Sequence, residues 1–192
     1  MCNIYRHEMS KFTIILTTIF SVTLFGCKTK LDNADLTWLT FQVGDTLIFS
    51  TTNNMFDTTF IIKREIIYPE YNPVEVHGKY HPQIGKIWYL NKNVPYIYDG
   101  KELVYLQKKS PDEKADGFIS YYNSTFFFDT DYFNETNDTI TFNGKPNTDI
   151  IKITDSYKIN LTCDNLRTLW WSKKNGLLKY ETCNGQIWTR IK

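Results

Sequence analysis

Residues 169–191, LWWSKKNGLLKYETCNGQIWTRI, contain two Asn-Gly pairs separated by strand-forming residues. Asn-Gly is the dipeptide most typical of a two-residue type I′ hairpin turn. Asn175 with Gly176 and Asn184 with Gly185 therefore predict a meander of three consecutive antiparallel strands.

Two such turns would fix the register of this meander. The first places Trp171 opposite Tyr180, and the second places Thr182 opposite Ile187. Because side chains alternate between the two faces of a strand, one face is predicted to be apolar and to form a core. That face carries Leu169, Trp171, Leu178, Tyr180, Ile187 and Ile191.

The opposite face of the predicted meander carries Trp170, Glu181 and Trp188. Two indoles that bracket a carboxylate form a candidate ligand site for a sugar ring or a cation. The alternative is that a second sheet or a loop covers both indoles. A shift of one residue in the pairing would exchange the two faces, so the prediction depends on the turn assignment.

The rest of the chain has the same pattern of short strands and turns. Phe, Tyr and Trp make up 16 % of the residues, and aromatic and β-branched residues suit a pleated, half-buried surface. Asp99 with Gly100 is another hairpin signal. The sequence predicts an all-β fold, an antiparallel meander forming a sandwich, barrel or half-barrel, with little helix beyond an N-terminal signal peptide.

Residues 9–27, MSKFTIILTTIFSVTLFGC, have the organisation of such a signal peptide. Lys11 precedes fourteen residues that include no charge, Pro or Gly. A helix of that length reaches about 21 Å, which is short of the roughly 30 Å hydrocarbon core of a bilayer. A basic start, an apolar middle and a small-residue exit indicate an export signal. The alternative is a buried core helix, for which the neighbouring sequence offers no partner helix.

The end of this leader resembles the lipobox of bacterial lipoproteins. Leu24, Phe25, Gly26 and Cys27 stand where that motif has Leu, a small residue, Gly or Ala, and Cys. The resemblance implies cleavage before Cys27, acylation of Cys27 and lasting attachment, because several acyl chains hold far more firmly than one. Lys28 follows the cysteine, which in similar lipoproteins implies the outer membrane of the cell envelope, on either its periplasmic face or the cell surface.

The chain is thus predicted to have three parts. Residues 1–26 are the lipoprotein signal peptide, residues 27–35 are a polar tether, and residues 36–192 are a single β-rich domain. The predicted partners are the membrane, through the N-terminal lipid, and either a glycan or an envelope protein.

The charge of the mature part excludes nucleic acid as an expected partner. The chain has 22 basic and 21 acidic residues. Removing residues 1–26 takes away Arg6, Lys11 and Glu8, which leaves 20 of each sign. Nucleic-acid binding would require a basic patch or stripe, and the sequence has no basic block.

Cys163 and Cys183 remain in the mature part after Cys27 is assigned to the lipid. In an oxidising compartment they form a candidate disulfide, which would close a loop of about twenty residues. The alternative is two buried free thiols.

Neither a metal nor a cofactor is expected. His77 and His81 flank Gly78 and precede Pro82, so they are not a helical ligand pair. The acidic, Asn-rich residues 129–138 lack the glycine of a calcium loop and are predicted to be a solvated loop. The chain has no nucleophile elbow, phosphate-binding glycine loop or Cys-x-x-Cys motif.

Both ends of the mature domain resemble uncharacterised small lipoproteins of gut-type Gram-negative bacteria. The stretches are residues 41–50 (FQVGDTLIFS), 57–62 (DTTFII) and 171–181 (WSKKNGLLKYE). They consist of strand and turn residues, so the resemblance implies a location and a style of fold but no activity. Asp57 and Thr58 also resemble the O-glycosylated sites of exported proteins of such bacteria, although they equally suit a strand that starts after a turn.

Three functions are compatible with these observations. The first is a membrane-anchored exported lipoprotein whose β-domain binds or scaffolds without catalysis. The second is a surface glycan-binding lipoprotein that uses Trp170 and Trp188, and the third is a cell-envelope hydrolase with carboxylates that spacing does not identify.

Overall fold

The computed structural model describes residues 27–70, 80–93, 100–129, 139–154 and 165–192. Within these ranges the chain forms one short helix, α1 (Asn33–Leu36), and fourteen strands. The strands are β1 (Cys27–Thr29), β2 (Thr46–Ser50), β3 (Phe56–Ile67), β4 (Tyr80–Pro82), β5 (Ile84–Asn91), β6 (Lys101–Gln107), β7 (Asp116–Tyr121), β8 (Ser124–Asp129), β9 (Ile140–Phe142), β10 (Lys145–Asn147), β11 (Ile150–Thr154), β12 (Leu166–Ser172), β13 (Gly176–Thr182) and β14 (Ile187–Arg190). Of the residues that the structure describes, 3 % are helical and 59 % are in strands, which confirms the predicted all-β class.

Ten of the strands form one antiparallel sheet, in the spatial order β11-β12-β13-β14-β2-β3-β5-β6-β7-β8. The sheet curls into a nearly closed barrel. β8 approaches β12 at the seam, where the Ser124 hydroxyl accepts a hydrogen bond from the Leu166 amide at 2.7 Å. β1 and β4 form a small parallel pair, and β9 and β10 form a hairpin outside the barrel.

The alternation of β3 departs from the usual distribution of polar and apolar residues. Asp57, Thr59 and Ile61 are buried, whereas Phe56 and Phe60 on the opposite face are exposed. A strand with one buried face normally turns its apolar residues inward. Two polar side chains of β3 are therefore inside the barrel, and two aromatic ones lie on its outer wall.

One end of the barrel is covered by the chain that precedes β2. Residues 31–41 cross this end, and Leu39 packs so closely on Gly85 of β5 that a Cβ there would lie 2.6 Å from a Leu39 methyl carbon. Phe41 meets Trp171 of β12 edge to face, with 5.7 Å between the ring centroids. We call this the closed end and residues 31–41 the end segment.

An ion pair attaches the end segment to β6. Asp32 caps α1 in a capping box with Asp35. The Lys108 ammonium, just after β6, lies 3.0 Å from Asp32 and 3.3 Å from Asp35. The hydrogen bond that Lys108 donates to the Asp32 carboxylate is the main cause of the raised pKa of Lys108.

These contacts correct the interpretation of residues 27–35 as a tether. Thr29 and Leu31 are each 1 % exposed, and Asp35 is 6 % exposed. The polar composition of this segment indicated solvation, but Asp32 and Asp35 pair with Lys108 and Leu31 enters the core. Residues 27–35 are therefore part of the folded domain.

The first predicted turn of the C-terminal meander has a different register. Leu169 lies opposite Tyr180 rather than Thr182, a shift of two residues that keeps both on the inner face. A bulge in the β12–β13 pairing then turns Leu177 into the main core and Leu178 into a separate cluster. The prediction that Leu178 shares the inner face was wrong.

The second predicted turn is longer by one residue, and this exchanges the faces of β14. The Thr182 amide donates to the Gln186 carbonyl at 3.0 Å around a three-residue loop, in which Gly185 has a φ of 80°. Tyr180 consequently pairs with Trp188, and the two rings stack with centroids 5.8 Å apart. Ile187, predicted to be in the core, is 45 % exposed.

Ile191 was likewise predicted to be in the core and is 51 % exposed. A type I′ turn does occur at Asn143 and Gly144, whose φ angles are 52° and 72°. Asn-Gly also fits a longer loop that ends on a left-handed glycine, so the dipeptide alone does not set the loop length.

Candidate functional site

The end of the barrel opposite the closed end contains a buried polar cluster. β3 begins here, and β5, β7 and β13 end here. Asp57 is completely buried. We call this the polar end, and it is the interior feature that sequence analysis did not identify.

Four neutral donors saturate the Asp57 carboxylate. Its Oδ2 accepts hydrogen bonds from the hydroxyls of Tyr121 at 2.9 Å and Tyr180 at 2.7 Å. Its Oδ1 accepts from the amide groups of Asn91 at 2.8 Å and Asn93 at 3.1 Å. Because these donors lie on or directly after β5, β7 and β13, the Asp57 carboxylate of β3 links four strands across the interior.

The tyrosines of this cluster remain protonated donors. Burial raises the pKa of Tyr121 well above its usual value, and the charge of Asp57 raises it further. Burial also raises the pKa of Tyr180, with smaller contributions from Tyr121 and Asp57. Thr59 extends the network, since its hydroxyl lies 2.7 Å from that of Tyr121.

An open groove lies on the outer rim of the polar end, between the β2–β3 turn and the β13–β14 turn. Its volume is about 590 Å³. The register of β14 and β2 explains it, because the pair of Thr189 with Ser50 is the one nearest the polar end. Beyond Thr189 the strands are not paired, and the space between them becomes what we call the rim groove.

The rim groove has a neutral lining. Seven of its nine residues, all within the described ranges, carry a hydroxyl or an amide, and none is charged. The lining consists of Ser50, Thr51, Thr52, Asn53, Asn184, Gly185, Gln186, Ile187 and Thr189. It can therefore form many hydrogen bonds without attracting charge of either sign.

Both turns that border the rim groove are held by internal hydrogen bonds. In the β2–β3 turn, the Thr51 amide donates to the Met55 carbonyl at 3.1 Å, and Asn54 adopts a left-handed φ of 58°. In the β13–β14 turn, Asn184 Oδ1 accepts from the Gln186 amide at 3.1 Å. The walls of the groove are thus formed before any ligand arrives.

An exposed aromatic residue lies beside the groove. Thr189, Ser50 and Phe56 are consecutive partners across β14, β2 and β3. Phe56 is 59 % exposed. The outer wall therefore presents two hydroxyls and one accessible aromatic ring in a single cross-strand row.

The structure does not bring together the predicted ligand residues Trp170, Glu181 and Trp188. Trp170 is 6 % exposed and packs with Phe142, Ile150 and Leu178 under the β9–β10 hairpin. Trp188 packs against the main core on the other face of the sheet.

Glu181 lies on the outer face, opposite Ile187 in the β13–β14 pairing. Its carboxylate oxygen Oε1 is 3.7 Å from Nη1 of Arg167. The predicted bracket of two indoles around Glu181 was wrong, because the one-residue shift of β14 turned Trp188 inward. For Trp170 the alternative prediction is confirmed, because the β9–β10 hairpin covers its indole.

The remaining predicted residues are only partly within the described ranges. Cys163 and His77 lie outside them, as does most of the acidic segment 129–138. The disulfide with Cys183 thus stays a prediction, as does lipidation of Cys27. Within the described part of the chain, no group of three or more His, Cys, Asp or Glu side chains could hold a metal ion.

A weak sequence signal for the polar end was present. Asp57 and Thr59 alternate with Phe56 and Phe60, so the two aromatic rings and the two polar side chains lie on opposite faces of β3. We interpreted Asp57 only as a strand start or part of a glycosylation-type site. Its donors Tyr121 and Tyr180 are 64 and 123 positions away along the chain, so no local pattern connects them.

Among the residues that the structure describes, no helix has the length and apolar character needed to cross a membrane. No protein-family model, curated protein or solved structure matches this chain.

Proposed function

We propose that this chain is an exported lipoprotein, held at the membrane by a lipid on Cys27, whose barrel binds a glycan in the rim groove without catalysis. The carrying observation is the neutral, hydroxyl- and amide-lined groove with Phe56 exposed at its side. The lipobox-like end of the leader supports the anchor.

The chemistry of the groove favours a glycan over a charged ligand. Sugar hydroxyls donate and accept hydrogen bonds, and hydroxyl and amide side chains complement them in both directions. The apolar face of a sugar ring packs on an aromatic ring, a role that Phe56 suits. A volume of about 590 Å³ is within the usual range for small-ligand sites.

The lack of acidic residues in the described lining of the groove favours binding over hydrolysis. Glycoside hydrolysis typically requires two carboxyl groups that face each other across the scissile bond. None of the nine lining residues, all of them described by the structure, is acidic. Asp57, on the inner face nearby, is saturated by four donors.

The anchor is tested by metabolic labelling with radioactive palmitate. We expect label in the wild type and in Cys2→Ala, because Cys2 lies in the removed leader. Cys27→Ala should lose the label. Equal label in Cys27→Ala and the wild type would exclude lipidation at this residue.

Glycan binding is tested on a glycan array with purified wild type, Phe56→Ala and Phe127→Ala. We expect bound glycans for the wild type and about a tenfold weaker signal for Phe56→Ala, the upper range for loss of one aromatic contact. Phe127 is 77 % exposed on β8, far from the groove in strand order, so Phe127→Ala is the matched control. An array without any wild-type signal, or equal losses in both variants, would contradict the proposal.

A further inference from the structure

The chain is held against the domain from Cys27 onward. β1 pairs in parallel with β4, with Cys27 opposite Tyr80 and Thr29 opposite Pro82. The Gln83 amide then donates to the Thr29 carbonyl at 2.9 Å. No free linker therefore separates residue 27 from the barrel.

This attachment changes the distance at which a lipid anchor would hold the domain. A free tether of residues 27–35 would reach about 30 Å when extended. With β1 paired, the backbone of Cys27 lies beside β4, which leads directly into β5 at the closed end. An acylated Cys27 would then bring the closed end to the bilayer surface.

The surface next to β1 has the composition of a membrane interface. Ile66 and Ile67, at the end of β3, are 37 % and 40 % exposed. The Lys28 ammonium lies over the Tyr68 ring, 5.0 Å from its centroid, and Lys30 is exposed. Apolar side chains, an aromatic ring and lysines are the groups that settle at the boundary between headgroups and acyl chains.

Strand β3, which carries Ile66 and Ile67, also gives the orientation of the barrel relative to the bilayer. Ile67 pairs with Ile84 at the closed end, whereas Phe56 pairs with Ser50 at the polar end. Ile67 follows Phe56 by eleven positions, which corresponds to about 36 Å along an extended strand. If Ile67 touches the bilayer and β3 points away from it, the rim groove lies well outside the headgroup layer.

We propose that the surface formed by Lys28, Lys30, Ile66, Ile67 and Tyr68 lies on the lipid bilayer, so that the rim groove faces away from the membrane. This inference rests on the proposed lipid anchor and adds a fixed orientation to it. The lipid on the adjacent β1 selects the bilayer as the occupant of this apolar surface.

The experiment uses the full lipidated protein in vesicles of phosphatidylethanolamine and phosphatidylglycerol. An environment-sensitive fluorescent amino acid replaces either Ile67 or Met55, which is 42 % exposed just before β3 at the polar end. Headgroup-proximal spin-labelled lipids then quench the probe. We expect quenching of at least twofold at position 67 and none at position 55.

The two proposals fail in different ways. Absence of palmitate label removes the anchor and this orientation with it. Label on Cys27 together with equal quenching at positions 67 and 55, or quenching at neither, overturns the orientation alone. Circular dichroism of both labelled proteins checks that each retains its strand content.

Discussion

The two ends of the barrel are filled in different ways. At the closed end, a segment from outside the barrel supplies Leu39 and Phe41 to an apolar core. At the polar end, the strands themselves supply Asp57 and its donors Tyr121 and Tyr180. One end is stabilised mainly by burial of apolar area and the other by hydrogen bonds to a buried charge.

This difference determines how each end tolerates change. Apolar packing weakens in proportion to the volume removed, because the neighbours relax partly into the cavity. A buried carboxylate responds more abruptly, since its removal takes an acceptor away from three buried donors, Tyr121, Tyr180 and Asn91. We therefore expect substitutions at the polar end to lower the stability more than substitutions at the closed end. The network around Asp57 also supports the turns that border the rim groove.

The largest expected effect is that of Asp57→Ala. Each abandoned donor costs about 1–3 kcal/mol, so a loss of about 5 kcal/mol in the free energy of unfolding is expected from urea denaturation. Asp116→Ala removes an ion pair with Lys109 that is mostly exposed and should cost less than about 1 kcal/mol. Similar losses for the two variants would show that the network around Asp57 does not stabilise the fold.

At the closed end, Phe41→Ala should lower the free energy of unfolding by about 3–4 kcal/mol, the usual cost of removing a buried aromatic side chain. Val43 is 60 % exposed two residues later, so Val43→Ala should change it by less than about 0.5 kcal/mol. A Phe41→Ala loss greater than that of Asp57→Ala would reverse the ranking of the two ends.

Alkaline pH should act on the polar end through its tyrosines. The pKa values of Tyr121 and Tyr180 are raised by burial, so above about pH 10 only the unfolded chain loses these protons. Stability is complete below that pH and falls above it, by about 1.4 kcal/mol per pH unit for each tyrosine. Lys108, whose pKa is also raised, adds to this loss.

Tyr121→Phe separates these contributions. It should reduce the slope of stability against pH above pH 10 by about 1.4 kcal/mol per unit, measured by urea denaturation at several pH values. An unchanged slope would indicate that Tyr121 ionises equally in the folded and unfolded chains.

The smallest expected effect is an acid-side loss at the closed end. The pKa of Asp32 is lowered, first by the hydrogen bond from the Asp35 amide and then by Lys108. Its contribution is present above the unfolded value of about 3.8 and is lost as the pH falls below it. Lys108→Met should therefore flatten the thermal-stability profile below pH 4, whereas Lys109→Met should leave it as in the wild type.

The sequence by itself determined the strands and the fold class of this protein. Alternation in β2 and β3, turn residues and the density of aromatic and β-branched side chains are local properties, and local properties decide where strands form. Tertiary structure decided the rest. The three-residue loop around Asn184 and Gly185 is the one that places the side chain of Trp188, rather than that of Ile187, against the ring of Tyr180.

The burial of Leu31, Trp38, Leu39 and Phe41 depended on the closed end of the barrel, which these side chains cover. The cluster around Asp57 required four strands to converge from positions up to 123 residues apart. A sequence pattern encodes which face of each strand is buried, but the partners on that face exist only after the sheet has closed.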